Sequence, residues 1–228
     1  MSLKIKYLGH SSFWMETQGK SILFDPFIKG NKLAEDINIS ELMPDFMFIS
    51  HGHDDHIADA VQIAEQSGCL CIGSWETEQW FHSQGIKNTH GMNIGGKWAF
   101  DFGVLKSTIA IHSSSFSTGH AGGSPMGCVI SNGTTCFYYA GDTALTMDMQ
   151  LIPKRFKLDL AFLPIGDNYT MDIDDAIEAA KMLQCETIVG MHYDTMPAIT
   201  IDKKEAIERF RKHGILLILP EINKEINI

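Results

Sequence analysis

The sequence lacks a long apolar segment. No uninterrupted apolar run reaches the ~18 residues that a membrane-spanning helix needs. The first residues, Met-Ser-Leu-Lys-Ile-Lys, alternate between apolar and polar side chains and contain no apolar stretch typical of a signal peptide. We therefore expect a cytoplasmic protein that does not have a membrane as partner.

Positive charge is also scarce. Lys and Arg number 18 against 28 Asp and Glu, which gives a formal net charge of -10 at pH 7. Broad nucleic-acid binding needs a basic surface, yet no run of adjacent Lys and Arg is longer than two residues. The charge pattern therefore argues against a nucleic-acid partner.

Cysteine is present without a pairing pattern. The sequence contains no Cys-x-x-Cys spacing of the kind found in zinc ribbons and thiol-disulfide enzymes. The five cysteines are Cys69, Cys71, Cys128, Cys136 and Cys185. We expect them to be buried, reduced thiols, as is usual in a cytoplasmic protein.

Histidine, by contrast, is concentrated in the segment His-Gly-His-Asp-Asp-His at residues 51–56. An aromatic-rich apolar run at residues 46–50 precedes this segment and predicts a buried strand. Apolar residues at helical spacing follow it and end at Gly68, which predicts a helix. The histidines therefore occupy a strand-to-helix loop, a common place for functional side chains.

The spacing within this segment suits a metal site. Side chains two residues apart in extended chain point the same way, so His51 and His53 can converge on one point. The following turn can bring Asp55 and His56 to a second point beside the first. Imidazole nitrogen and carboxylate oxygen are ligands of borderline metals such as zinc, and burying such groups without partners is costly.

His-x-His-x-Asp-His after an apolar strand resembles the signature of the metallo-β-lactamase superfamily. The whole chain is similar in particular to small single-domain metal-dependent hydrolases related to ascorbate-6-phosphate lactonase. This resemblance implies an α/β fold, a four-layer αβ/βα sandwich of two mixed sheets flanked by helices. Residues 1–228 would then form one domain, which agrees with the length of the chain.

Three further polar residues follow predicted strands and match later motifs of the superfamily. Asp142 lies in a Gly-Asp pair after one strand, and His192 follows another directly. The third position is either His112, at a strand end, or His120, in the Gly- and Ser-rich loop 113–125. We favour His112 because a strand end fixes a ligand better than a flexible loop does; His120 would then contact substrate.

The resemblance also implies how these residues divide between two metal ions. One ion takes His51, His53 and His112, the other takes Asp55, His56 and His192, and Asp142 bridges both together with a water-derived hydroxide. Zinc is the preferred ion, and manganese or iron is compatible with the ligands. Two divalent ions, two carboxylates and one hydroxide would leave a net charge of about +1 at the centre. This positive charge favours a bound hydroxide as nucleophile and attracts an anionic or polarised oxygen of the substrate.

Other candidate residues surround this centre. Asp25 and His10 follow early strands, and the resemblance places them behind the ligands as supporting groups. Asn168 and Tyr169 belong to a loop that resembles a segment of the same hydrolases and would line the substrate side. Asp55, His120 or a metal-bound water would protonate the leaving group.

The function implied is hydrolysis of an ester, lactone, amide or phosphodiester bond in a small anionic metabolite. A di-iron redox enzyme is disfavoured because similar proteins of that kind carry Glu in place of His53 and add a flavodoxin domain. A nuclease such as those that process tRNA 3′ ends is disfavoured by the acidic charge. A non-catalytic binding protein is disfavoured by the complete ligand set. A homo-oligomer is compatible with the resemblance.

Overall fold

The computed structural model of the protein describes residues 3–228. Its strands are β1 (Lys4–Gly9), β2 (Ser12–Thr17), β3 (Lys20–Phe24), β4 (Phe46–Phe48), β5 (Leu70–Ser74), β6 (Thr89–Met92), β7 (Lys97–Phe100), β8 (Gly103–Ile109), β9 (Met126–Ser131), β10 (Cys136–Tyr139), β11 (Leu160–Pro164), β12 (Thr187–Met191), β13 (Leu216–Ile218) and β14 (Glu225–Asn227). Its α-helices are α1 (Asp54–Ile57), α2 (Ala60–Ser67), α3 (Trp75–Ser83), α4 (Ile173–Leu183) and α5 (Lys203–Lys212). Short 3-10 turns occur at Lys32–Ala34, Ile39–Glu41, Met147–Leu151 and Pro197–Ile199.

The strands form two mixed sheets with matching architecture. The first has the order β14-β1-β2-β3-β4-β5-β6, and the second has the order β7-β8-β9-β10-β11-β12-β13. In each sheet the first four strands are antiparallel neighbours and the last four are parallel neighbours. The switch between the two pairing modes therefore falls at β3 in one sheet and at β10 in the other.

The two sheets face each other across an aromatic core. Phe13 and Phe24 of the first sheet meet Phe137, Tyr139 and Phe162 of the second, and all five are fully buried. The rings of Phe13 and Phe162 lie 4.9 Å apart, and those of Phe24 and Tyr139 lie 4.8 Å apart. Aromatic side chains supply large apolar area and favourable ring contacts, so this layer holds the sheets together.

Helices cover the outer faces. Neighbouring strand residues point to opposite faces, so Leu23 and Met47 point away from the aromatic core and pack with Ile63 of α2 and Phe81 of α3. The helices α4 and α5 pack against β11 and β13 of the second sheet. This confirms the predicted α/β sandwich of two mixed sheets flanked by helices. Within residues 3–228, none of the helices combines the length and apolar character needed to cross a membrane.

The helix predicted after the histidine-rich segment is interrupted. It divides into α1 and α2 at Asp59, whose carboxylate accepts hydrogen bonds from the backbone N–H groups of Ile28 (2.6 Å) and Lys29 (2.9 Å). This contact joins two loops that are 30 residues apart in the chain. Apolar spacing did not reveal the interruption because the cause is a long-range contact.

We predict that the aromatic layer dominates stability. Phe162→Ala should lower the free energy of unfolding by ~3–5 kcal/mol, because it removes a fully buried ring and leaves a cavity between the sheets. Leu216→Ala is the control, since Leu216 is 59% exposed and should cost no more than ~0.5 kcal/mol. Urea unfolding of both variants measures the difference, and equal costs would contradict the role given to this layer.

Candidate metal centre

Candidate ligands from five strand ends converge at one edge of the sandwich. They follow β1, β4, β8, β10 and β12, and so come from both sheets. Three sets of side chains place their ligand atoms within 4.8 Å of one another. These are His51, His53 and His112; His51, His56 and Asp142; and His10, Asp55, His56 and His192.

In the first set, imidazole nitrogens point at a common space. His51 Nε2 and His53 Nδ1 are 2.9 Å apart, and the His112 ring centroid lies 5.1 Å from each of the other two rings. Burial lowers the pKa of His51, His53 and His112. For His51, the neighbouring His56 lowers the pKa further. These imidazoles are therefore neutral at neutral pH and can offer lone pairs to a cation.

Asp142 links the sets. Its Oδ2 atom lies 3.0 Å from His192 Nε2, 3.3 Å from His56 Nε2 and 3.6 Å from His112 Nε2, and the side chain is only 2% exposed. Burial would raise the pKa of Asp142, but His192 and His56 outweigh it and lower the pKa well below its usual range. Burial would lower the pKa of His56, but the carboxylates of Asp142 and Asp25 outweigh burial and raise the pKa well above its usual range.

Several buried polar atoms in this centre have no hydrogen-bond partner among residues 3–228. They include His56 Nε2, Asp142 Oδ1 and His192 Nδ1. Unpaired buried polar atoms are rare in native proteins because each one costs free energy. Imidazole nitrogen and carboxylate oxygen are atoms of the type that bind zinc, and the ligand atoms of each set lie within 4.8 Å of one another, so the residues present fit a metal site.

Asp25 supports two of the histidines. Its carboxylate accepts hydrogen bonds from Ser50 N (2.7 Å), Ser50 Oγ (2.6 Å), His56 Nδ1 (2.8 Å) and the Tyr139 hydroxyl (2.7 Å). Ser50 Oγ in turn lies 2.9 Å from His51 Nδ1. Both imidazoles therefore keep their Nε2 atoms directed at the centre. Asp25 was expected from the sequence as a supporting group, whereas Ser50 and Tyr139 were not, although a buried tyrosine hydroxyl requires a partner.

His10 lies closer to the centre than the sequence predicted. Its Nε2 atom is 3.1 Å from Asp55 Oδ2, its Nδ1 atom is 2.6 Å from Thr195 Oγ1, and its ring centroid is 4.1 Å from that of His192. Burial, followed by the nearby His192, lowers the pKa of His10 to about 4. His10 therefore directly contacts Asp55, and its neutral ring belongs to one of the possible metal-binding sets.

The remaining predicted residues lie outside these sets. His120 is exposed, and its Nδ1 atom contacts Thr118 Oγ1 at 2.9 Å. Asn168 and Tyr169 are exposed on the loop after β11. That loop passes against the backbone of His192, since a Cβ atom at Gly166 would meet the His192 carbonyl oxygen. The structure thus brings His112, rather than His120, to the histidines of residues 51–56.

A model described as "Beta-lactamase superfamily domain" matches residues 4–192, a range that includes all the candidate ligands. The chain belongs to the metallo-β-lactamase superfamily. It is 45% identical over 226 residues to a UPF0173 metal-dependent hydrolase of Flavobacterium johnsoniae, which covers 99% of this chain and 100% of that protein. Within the superfamily, the chain is therefore a member of this group of metal-dependent hydrolases.

Solved structures agree with the family assignment. The metallo hydrolase Igni18 of Ignicoccus hospitalis has a TM-score of 0.91 and 33% identity, with 100% of this chain and 99% of that chain covered. An isothiocyanate hydrolase from Delia radicum gut bacteria has a TM-score of 0.79 and 22% identity, with 98% of each chain covered. The latter likeness is one of fold alone.

We predict that Asp25 controls metal affinity through the histidines it holds. Asp25→Asn should weaken metal binding about 10- to 100-fold, because its amide cannot accept hydrogen bonds from Ser50 and His56 as a carboxylate does. Titration with zinc in the presence of a competing chelator measures the effect.

Asp45→Asn is the matched control for this experiment. Asp45 also accepts hydrogen bonds from the backbone N–H and hydroxyl of a serine, Ser21, at the opposite ends of the same two strands. It contacts none of the candidate ligands in the described part of the chain. An equal loss of affinity in both variants would mean that Asp25 acts only through general stability.

Proposed function

We propose that this chain is a dinuclear metal-dependent hydrolase, with zinc as the preferred ion. The observation that carries the proposal is the convergence of three His and Asp sets whose ligand atoms lie within 4.8 Å of one another. The donors are imidazole nitrogen and carboxylate oxygen, a combination that suits zinc and is compatible with manganese or iron.

The side-chain sets suggest a division of ligands. His51, His53 and His112 would hold one ion, and Asp55, His56 and His192 would hold the other. Asp142 would serve both, because its Oδ2 atom lies within 3.6 Å of histidines from each set. A pair of divalent ions held there supplies Lewis acidity and an activated water for hydrolysis.

The surrounding residues would prepare these ligands before substrate arrives. Asp25 accepts a hydrogen bond from His56 Nδ1–H, and Ser50 Oγ accepts one from His51 Nδ1–H, which directs the Nε2 atoms of both rings at the centre. We assign His10 a positioning role, because both of its ring nitrogens already have partners in Asp55 and Thr195. This contact fixes the Asp55 carboxylate.

For proton transfer to the leaving group, we propose a side chain other than Asp55. Burial would raise the pKa of Asp55, but the hydrogen bond from His10 and the charge of His56 outweigh it and lower the pKa below its usual range. Asp55 is therefore held ionised, as suits a ligand or a proton acceptor. We propose the exposed His120, on loop 113–125, as the donor that reaches a bound substrate.

We propose a small anionic ester, lactone or phosphodiester as substrate, with Asn168 and Tyr169 on the substrate side. The loop that carries them lies against His192, and both side chains are exposed. The ions that the centre is built to hold would attract an anionic or polarised oxygen. The acidic charge of the chain disfavours a nucleic-acid substrate.

We predict two metal ions per chain and a sharp difference between two histidine variants. His112→Ala should lose one ion and lower kcat/KM by at least about 100-fold, because it removes a direct ligand. His120→Ala should retain both ions and lower kcat alone, because it changes proton transfer. Elemental analysis and steady-state kinetics measure both effects, and loss of metal in His120→Ala would contradict the assignment.

We also predict that hydrolysis depends on metal and selects one bond class. The purified protein should turn over one of bis(p-nitrophenyl) phosphate, p-nitrophenyl esters, a lactone panel, a cephalosporin or an isothiocyanate. Chelation should abolish turnover, and zinc or manganese should restore it. Bound iron without hydrolysis would support a redox enzyme instead, and failure to take up any metal would leave a binding protein.

A further inference from the structure

A cavity of about 450 Å³ opens on the outer face of the second sheet. Its floor includes Tyr138 of β10, which points away from the aromatic core because its neighbours Phe137 and Tyr139 point into it. Residues 148–156, which include part of the turn Met147–Leu151, form one wall. None of the candidate metal ligands lines this cavity.

The cavity has an apolar lining and an apolar rim. Ile109, Met149 and Ile152 line it, and at its rim Leu151 is 55% exposed and Ile94 is 38% exposed. Its volume lies in the range of about 300–1,000 Å³ that is usual for small-molecule sites. Apolar side chains arranged around a concave surface favour an apolar ligand chain over bulk water.

Positive charge is concentrated at the same cavity. Lys106, Lys154 and Arg155 line it together with one acidic residue, Asp148. This excess is unusual in a chain whose formal net charge is -10. Among residues 3–228, the ion pairs include none of these three cations, and the Lys106 ammonium donates to the Gly95 carbonyl. Three cations without carboxylate partners are available to an anionic headgroup.

We propose that this cavity binds a single-chain amphiphile with an anionic headgroup, a carboxylate or a phosphate. The apolar chain would pack on Ile109, Met149 and Ile152, and the headgroup would meet Lys106, Lys154 and Arg155. This is a second ligand site, separate in its lining residues from the metal centre. It holds whether or not the metal centre has the function proposed above.

Isothermal titration calorimetry of the metal-loaded chain, residues 1–228, tests this site. The probes are decanoate, decyl phosphate, 1-decanol and decyltrimethylammonium, all below their micelle-forming concentrations. Decanoate or decyl phosphate should bind about tenfold or more tightly than the uncharged and cationic probes, because the charged headgroup adds charge-assisted hydrogen bonds. Equal affinities for the four probes would overturn the proposal.

Variants locate the binding. Lys154→Gln combined with Arg155→Gln should reduce decanoate affinity about tenfold, to that of 1-decanol. The matched control is Lys212→Gln combined with Lys224→Gln, which removes two exposed cations that do not line the cavity. If decanoate binds at the metal centre instead, chelation should abolish its binding and the cavity variant should not change its affinity. That result would overturn the assignment to the cavity.

The exposed rim residue Leu151 distinguishes a ligand site from an interface between copies. Leu151→Glu should weaken decanoate binding, because it places a carboxylate beside the anionic headgroup. It should leave the oligomeric state unchanged. If the wild-type chain does not bind decanoate, and Leu151→Glu converts an oligomer into monomers by size-exclusion chromatography with light scattering, then a second copy occupies the cavity. That result would overturn the proposal.

Discussion

The hydrogen bonds to the Asp25 carboxylate are the interaction on which the candidate centre depends. Asp25 and Ser50 follow adjacent parallel strands of the first sheet, and Tyr139 belongs to the second. One buried carboxylate therefore joins the two sheets and orients His56 in the same place. The register that pairs Phe24 with Phe48 brings Asp25 beside Ser50. The pairing of these two strands therefore also determines how Asp25 orients His56.

The centre also requires both halves of the sandwich. The histidines of residues 51–56 come from the first sheet, whereas His112, Asp142 and His192 come from the second. Neither sheet alone carries a full set of ligand atoms. Because the aromatic layer packs the two sheets together, it also positions Asp142 of the second sheet against His56 of the first.

The parts of this centre with a local signature are visible in the sequence. The spacing of His51, His53 and His56 lies within six residues, and strand-end placement favoured His112, which the structure groups with His51 and His53. Tyr139 and the contact of His10 with Asp55 were missed, because they depend on side chains that are distant in sequence.

The same limit applies to the fold. Apolar runs predicted the strand before residues 51–56, the helical segment after it and the strands that precede the later candidate ligands. The short strands β6 and β14 were not predicted, since they contain polar residues and are ordered by pairing with β5 and β1. The interruption at Asp59 likewise depends on a contact with a distant loop. Local pattern thus predicts elements well and predicts poorly what long-range contacts add.

The matching strand orders of the two sheets make the molecule a repeated architecture with divergent halves. The strand β3 holds the same place in its sheet as β10 does in the other, and an aspartate follows each strand: Asp25 directly after β3, and Asp142 in the loop after β10. One aspartate is saturated with hydrogen bonds, and the other has an unpaired oxygen. A scaffold of repeated architecture thus carries two aspartates in different environments: one joins the two sheets, and the other has an oxygen without a hydrogen-bond partner among residues 3–228 at the candidate metal centre.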